Sequence, residues 1–398
     1  MLKPTIYSLI LLFLIASCQK PASKDENTIE EDSLSTMRSK PDKKLLYVGT
    51  YTRKEGHVDG KAEGIYLYEL DMHTGKLEKV STTRGIVNPS YLTIHNSGDY
   101  VYAVSETVGN DSVPTGSVYA YKVEADSTLR ELNHVSSEGK APCFITTDPS
   151  GKYVLVANYV DGVVALYSIA DDGSLESKMH VQHEGSGTTA RQESAHAHSV
   201  WPIKNGFVYA VDLGIDQIVP YKLDEGKDSL EASSFVTKLP AGSGPRHLAF
   251  HPTKKIAYSI NELKGTVTSF DIADNGELRS FQTLPAVEDT TGVDAGSADI
   301  HITPNGKFLY ASNRGKFNNL AIFKINEETG ELSLVGHQPT KGDAPRNFVI
   351  DPTGKFLLVA NQNSSNVVTF EIDQETGELI DIGVETEIPT PVCLQFMP

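Results

Sequence analysis

In the segment Gly244–Glu262, GPRHLAFHPTKKIAYSINE, Arg246 and His247 open one hydrophobic run and Glu262 closes the next. A second cluster, HAH at His196–His198, places two imidazoles at alternate positions, and further arginines stand at Arg314 and Arg346. A carboxylate, imidazoles and guanidinium groups are the set needed for general acid–base chemistry on an anionic, ester-like substrate. Glu262 would either deprotonate water or orient a histidine. An arginine would stabilise an oxyanion and a histidine would protonate the leaving oxygen. Arginines close by lower a carboxylate's pKa and weaken it as a base. Alternate histidines on a strand point to one side, which is compatible with a metal pair. Zinc needs a third protein ligand, however, and no second His/Cys/Asp cluster has suitable spacing, so no metal is expected. There is no nucleophile elbow, phosphate-cradling glycine loop or strand–helix–strand unit to support covalent catalysis or nucleotide binding.

The elements that must position these residues repeat along the chain. NPSYLTIHNSGDYVYAVSE from Asn88 parallels APCFITTDPSGKYVLVANY from Ala141 and the Gly244 segment. SADIHITPNGKFLYASNR from Ser297 and APRNFVIDPTGKFLLVANQ from Ala344 continue the series. HAHSVWPIKNGFVYAVDLG from His196 fits if its turn holds one extra residue. Each unit reads as a strand, a Pro/Gly turn, a second strand, a third, and a fourth after a DNGEL- or ETGEL-like turn. The second-strand ends fall at Ser105, Asn158, Asp212, Asn261, Asn313 and Asn361, 48 to 54 residues apart. A four-stranded period near 50 predicts propeller blades. LLYVGTYT at Leu45–Thr52 is a second strand lacking a first, and TPVCLQFMP at Thr390–Pro398 a first strand lacking a second. Pairing them predicts an all-β, seven-bladed β-propeller of four-stranded antiparallel blades, closed between the chain's two ends and leaving no open edge.

Because the blades repeat, each serves as a control for the others. The column six residues before the turn proline reads Ser90, Cys143, His196, Arg246, Ala298, Arg346 and Val392. Two residues on, it reads Leu92, Ile145, His198, Leu248, Ile300, Phe348 and Leu394, apolar except for His198, which a hydrogen-bonded core would equally explain. The column just past the second strand reads Tyr51, Glu106, Tyr159, Leu213, Glu262, Arg314 and Gln362. First-strand starts and second-strand ends lie at the same end of a blade, around the channel mouth. Arg246, Arg314, Arg346, Glu106, Glu262, His196 and His198 should therefore converge there, with Tyr159 and His247 beside them. His183 and Arg191-Gln192, in the loop entering the HAH strand, are either a lid over the mouth or solvated loop. Guanidinium groups gathered at one mouth suit carboxylate or phosphate. The alternative is structural ion pairing with Glu106, Glu262 and Asp299.

The formal charge of −17 argues against nucleic acid or an acidic membrane as the main partner. An apolar run behind Lys3 ends in Ile15-Ala16-Ser17-Cys18. It reads as a secretory signal whose last residues resemble a bacterial lipobox, so residues 1–18 are expected to end at a lipidated Cys18. Plain signal cleavage is the alternative. Residues 19–42 are polar and without period and read as a tether, and 43–398 as the propeller domain. The predicted location is the bacterial cell envelope, with the membrane touched only through the lipid. Cys143 and Cys393 are too few for a disulfide framework and are expected to be buried thiols.

The motifs GPRHLAFHP, SINE and SNRG, and above all HEGSGTTARQESAHAHSVWP with VDLGIDQI, resemble the seven-bladed propeller lactonases. That family includes the propeller-type 6-phosphogluconolactonases and the fungal carboxy-cis,cis-muconate lactonizing enzyme. The resemblance covers nearly all of the chain after the tether. It implies metal-independent opening of a small anionic sugar lactone, with His196 or His198, Arg246, Glu262 and Arg314 acting. Cytoplasmic members of the family take a phosphorylated lactone, whereas the export signal here implies another sugar or uronic acid lactone. LYVGTYT, VYAVSET and LYASNRG also resemble YVTN-type repeats, whose implication is a surface propeller that binds without catalysis. A metal-dependent gluconolactonase-like propeller is disfavoured by the blade count and the missing ligand cluster.

Overall fold

The computed structural model describes Met1 and residues 42–55, 58–110, 112, 115–289 and 294–398. The lipobox and most of the tether lie outside the described residues. Within each repeat, burial is greatest in the second strand and least in the fourth. Second strands such as Tyr153–Asn158, Ile256–Asn261 and Phe308–Asn313 are buried at every residue, as their unbroken apolar runs require. Fourth strands such as Leu175–Gln182 and Leu379–Glu387 are largely solvent-facing.

Blades 1 to 6 begin at the innermost strands Leu92–Ile94, Pro142–Thr147, Ala197–Pro202, Pro245–Phe250, Ser297–Ile302 and Pro345–Ile350. Blade 7 takes its innermost strand, Pro391–Phe396, from the C-terminus and its other three, Lys43–Thr50, Ile65–Asp71 and Leu77–Thr83, from the start of the ring. Leu46 pairs with Phe396 and Val48 with Leu394, so the ring closes between the chain's two ends with no strand edge open at the joint. The 3-10 turn Ala190–Gln192 is the helical element among the described residues.

Tyrosines latch neighbouring blades together. The hydroxyls of Tyr102, Tyr209, Tyr258 and Tyr310 donate to the carbonyls of Gly173, Gly276, Gly330 and Gly377, each in the next blade's outer hairpin, at 2.7–3.1 Å. This contact gives the DNGEL-type turn its glycine. Gly276 has φ +85, and a Cβ there would stand 2.5 Å from the Phe207 ring.

Two features aim residues at the channel mouth. First, the ladder between the innermost and second strands breaks with a bulge near its start in blades 2 to 7, at Cys143, His198, Arg246, Ala298–Asp299, Arg346 and Val392. A bulged residue leaves the ladder and its side chain is redirected. Second, the polar ends of the second strands tie down the incoming loops: Asn158 Nδ2 donates to the Ser137 carbonyl, Asn313 Nδ2 to Ala286 and Asn361 Nδ2 to Thr340.

The third blade departs from the sequence alignment. Its turn runs from Ile203 to Phe207 and is one residue shorter than Asp148–Tyr153, not one longer. Pro202 is the last residue of the strand, so it does not correspond to the turn prolines. The bulge therefore puts His198, not His196, in the column of Arg246 and Arg346. Val200, fully buried, takes the apolar position that His198 had broken.

Candidate active site

A cavity of about 700 Å³ opens at the mouth. From the innermost strands it is lined by Cys143, His198 and Arg346. From the column just past the second strands come Glu106, Tyr159, Glu262, Arg314 and Gln362. Arg191 and Asp294 complete the wall from loops. The two columns marked by self-comparison thus meet in one cavity.

Glu262 is its electrostatic centre. The carboxylate is 3% exposed, and three guanidinium groups share it. Arg191 Nη2 stands 2.9 Å and Arg314 Nη2 3.1 Å from Oε1, while Arg246 Nε lies 3.0 Å from Oε2. The Arg246 contact is a close ion pair but is not aligned as a hydrogen bond. Burial alone would raise the Glu262 pKa, but Arg314, Arg246 and Arg191 together hold it down to about 2. A carboxylate so stabilised is a poor proton acceptor. Its geometry orients arginines, not a histidine.

Arg246 lies beneath this carboxylate, 2% exposed and outside the cavity lining. Its Nη1 donates to the Ala298 carbonyl and to His247 Nε2, the latter at 3.2 Å. Since His247 Nε2 accepts, its Nδ1 carries the proton and donates to Asp299 Oδ1 at 2.8 Å. Burial and Arg246 lower the His247 pKa to about 4, so this imidazole is neutral. Asp299 pairs with His247 and His301. Of the three carboxylates that the sequence offers as partners for the arginines, it is the one that serves histidines. His247 is part of the support under the mouth and does not face the cavity.

His198 does face it. Its ring meets the Tyr159 ring edge-on at 5.4 Å and the His247 ring at 5.5 Å. Burial, with Arg246, His247 and Arg346 nearby, pushes its pKa well below the usual histidine value. His196 instead stacks flat on Tyr159, 4.6 Å between centroids, and Nδ1 donates to the Tyr159 carbonyl at 2.8 Å. The two imidazoles therefore pack on the face and edge of one tyrosine and do not converge as a metal pair. Among the described residues no group of three or more His, Cys, Asp or Glu is placed to hold a metal ion.

Arg346 sits over the Tyr51 ring with its guanidinium carbon 5.6 Å from the centroid. Tyr51 donates to Glu106 Oε2 at 2.9 Å. Arg191 also reaches Asp294 at 2.9 Å, whereas Arg346 makes no ion pair among the described residues. Burial would lower the Arg346 pKa, but Tyr51, Glu106 and Glu262 nonetheless act on it through space and raise it.

Two loop residues lie elsewhere. His183 Nδ1 bonds Asp212 and its Nε2 the Tyr221 hydroxyl, at 2.8 and 2.9 Å, well inside the blade. Gln192 is fully buried and binds the Leu213 carbonyl and Asp216 Oδ1, both at 2.8 Å. Both shape the loop and do not line the cavity; of that loop, Arg191 alone reaches it. Gln362 and Asp294 are site residues that sequence reasoning did not select. Gln362 stood in a flagged column, whereas nothing in the repeat marks Asp294. Cys143 and Cys393 are free and buried, as expected.

A seven-bladed ring with a charged, chemically equipped mouth defines the class. The chain belongs to a family of carboxylic ester hydrolases described as "Lactonase, 7-bladed beta-propeller", whose model matches residues 45–396. A 6-phosphogluconolactonase of Bacillus subtilis is 38% identical over 360 residues, spanning 89% of this chain and 99% of that protein. One from Formosa agariphila is 37% identical, with 88% and 99% covered. Among solved structures, the periplasmic gluconolactonase of Pseudomonas aeruginosa is 31% identical with a TM-score of 0.83, covering 89% of this chain and 99% of that one.

Proposed function

We propose that the protein opens an anionic aldonolactone to its acid at the channel mouth, by acid–base chemistry that needs no metal. The observation that carries this reading is the division of labour among the arginines. Arg191 and Arg314 are ion-paired to Glu262, while Arg346 in the same cavity makes no ion pair among the described residues, which leaves its donor fork open to an incoming anion. Neutral His198 lines the same cavity.

In this mechanism Arg346 takes the substrate's carboxylate or phosphate through its planar donor fork. His198 accepts a proton as water attacks the lactone carbonyl carbon. The burial and arginines that keep it neutral also weaken it as a base, so it works on a water already polarised by attack. The carbonyl oxygen gains negative charge, which Arg314 and Arg191 stabilise from fixed positions. The bond from that carbon to the ring oxygen then breaks, and the proton held by His198 passes to the departing oxygen. Glu262 keeps the two arginines in place and stays ionised throughout. Arg246 acts through Glu262 and is a positioning residue.

The lipobox around Cys18 supports attachment to the cell envelope. The existence of a periplasmic gluconolactonase of the same fold agrees with that location. An exported enzyme would meet unphosphorylated sugar or uronic acid lactones. The test is the opening of gluconolactone, glucarolactone and 6-phosphogluconolactone by the wild type, Arg346→Ala and His198→Ala. Rates equal to spontaneous hydrolysis in all three proteins would overturn the reading. Radiolabelled palmitate should enter the full chain and not Cys18→Ala.

A further inference from the structure

A second cavity, about 870 Å³, runs outward from the mouth over blade 4. It shares Arg191 and Asp294 with the catalytic cavity, so the two spaces adjoin at that ion pair. The Arg191–Asp294 pair is exposed and worth about 0–1 kcal/mol, so Asp294 can part from Arg191 while Arg191 stays on Glu262. We propose that this groove is a glycosyl subsite, and that the preferred substrate is the lactone of a disaccharide or longer saccharide. This rests on the lactonase reading above.

Beyond Arg191 at its junction with the catalytic cavity, the groove carries groups suited to binding. Its hydroxyls come from Thr188, Thr189, Thr266 and Thr283, its cation from Lys264, and its apolar surface from Leu263 and Leu284. A sugar residue offers the matching surface: hydroxyls around the edge and C–H groups on the face. Two of the hydroxyls are already oriented. Thr266 Oγ1 accepts from Asn261 Nδ2 at 2.9 Å, and Thr283 Oγ1 shares a hydrogen bond with Thr268 Oγ1 at 3.1 Å.

The walls are also built. Buried Asp216 accepts from Gly242 N and Gly244 N at 2.7 Å on one side and from Gln192 Nε2 at 2.8 Å on the other. Gln192 Oε1 in turn accepts from the backbone N–H groups of Thr188 and Thr189. One buried carboxylate thus fixes both rims. Gly242, with φ +78, turns the chain at this rim in a conformation that glycine takes without strain. Each cavity alone has the size of a small-molecule site, and together they exceed what one sugar ring fills.

The experiment compares kcat/KM for cellobionolactone, a disaccharide lactone, with that for gluconolactone. The wild type should favour cellobionolactone by about tenfold, the scale of a modest set of added contacts. Thr283→Trp, which fills the groove from an exposed strand end, should bring the ratio near one by raising KM for cellobionolactone. Lys264→Glu, which alters only side-chain charge at the surface, should reduce the ratio without filling space. A wild-type ratio near one, or a ratio unmoved by both variants, would overturn the subsite while leaving the lactonase reading standing. Failure to open either lactone would overturn the subsite, and opening of glucarolactone or 6-phosphogluconolactone would then decide the lactonase reading separately.

Discussion

Replacing Glu262 by glutamine separates the anchor role argued for this residue from that of a catalytic base. The amide keeps the shape but removes the charge shared by Arg191, Arg246 and Arg314 at 2.9–3.1 Å. Arg246 is 2% exposed and cannot turn to solvent, so the change leaves an uncompensated buried cation. Removing one partner of a buried ion pair costs roughly 3–5 kcal/mol. The depressed pKa gives a similar figure, since holding the carboxyl at about 2 against an ordinary 4.5 corresponds to roughly 3 kcal/mol. With the folded value below the unfolded one, this stabilisation is complete above the unfolded pKa and is lost as pH falls from about 4.5 toward 2. Denaturant unfolding from pH 7 to pH 3 should therefore show Glu262→Gln destabilised by about 3 kcal/mol at pH 7, with the gap narrowing in acid. Adding Arg246→Met to Glu262→Gln should restore part of that stability. Activity should fall because Arg191 and Arg314 lose their fixed positions, yet the residual pH–rate profile should keep its shape. Wild-type stability combined with loss of the acid limb of that profile would refute the anchor and restore Glu262 as the base.

The other predictions are narrower. Arg346→Ala should raise KM for glucarolactone about ten- to a hundredfold and change gluconolactone by less than about threefold, because only a charge-assisted fork is lost. Burial and the neighbouring arginines hold His198 neutral well below the ordinary histidine pKa. Activity should accordingly stay level as pH falls through about 6.5 and drop only further into acid; a midpoint near 6.5 would exclude His198 as the proton acceptor. Tyr310→Phe, which removes one inter-blade latch at 2.8 Å, should cost about 1 kcal/mol in denaturant unfolding with kcat unchanged.

The seven blades, the closure between Leu45–Thr52 and Thr390–Pro398, and the mouth as the place of chemistry are all legible in the chain alone. They follow from local periodicity and from comparing each repeat with its siblings, and neither needs a distance. The columns through Arg346 and through Glu106, Tyr159, Glu262 and Arg314 did converge on one cavity. Which side chains enter it and which hold it up is settled only by packing. The turn after Pro202 is one residue short, and that slip exchanges His198 for His196. Bulges redirect Arg246 and Arg346 from equivalent positions, yet one is buried under Glu262 and the other faces the cavity. Arg191 and Asp294 arrive on loops that belong to no repeat column. Above all, the proposed role of Glu262 as anchor instead of base rests on three arginines from separate parts of the chain that meet on it. That charge balance exists only in three dimensions, where short distances and burial set the pKa.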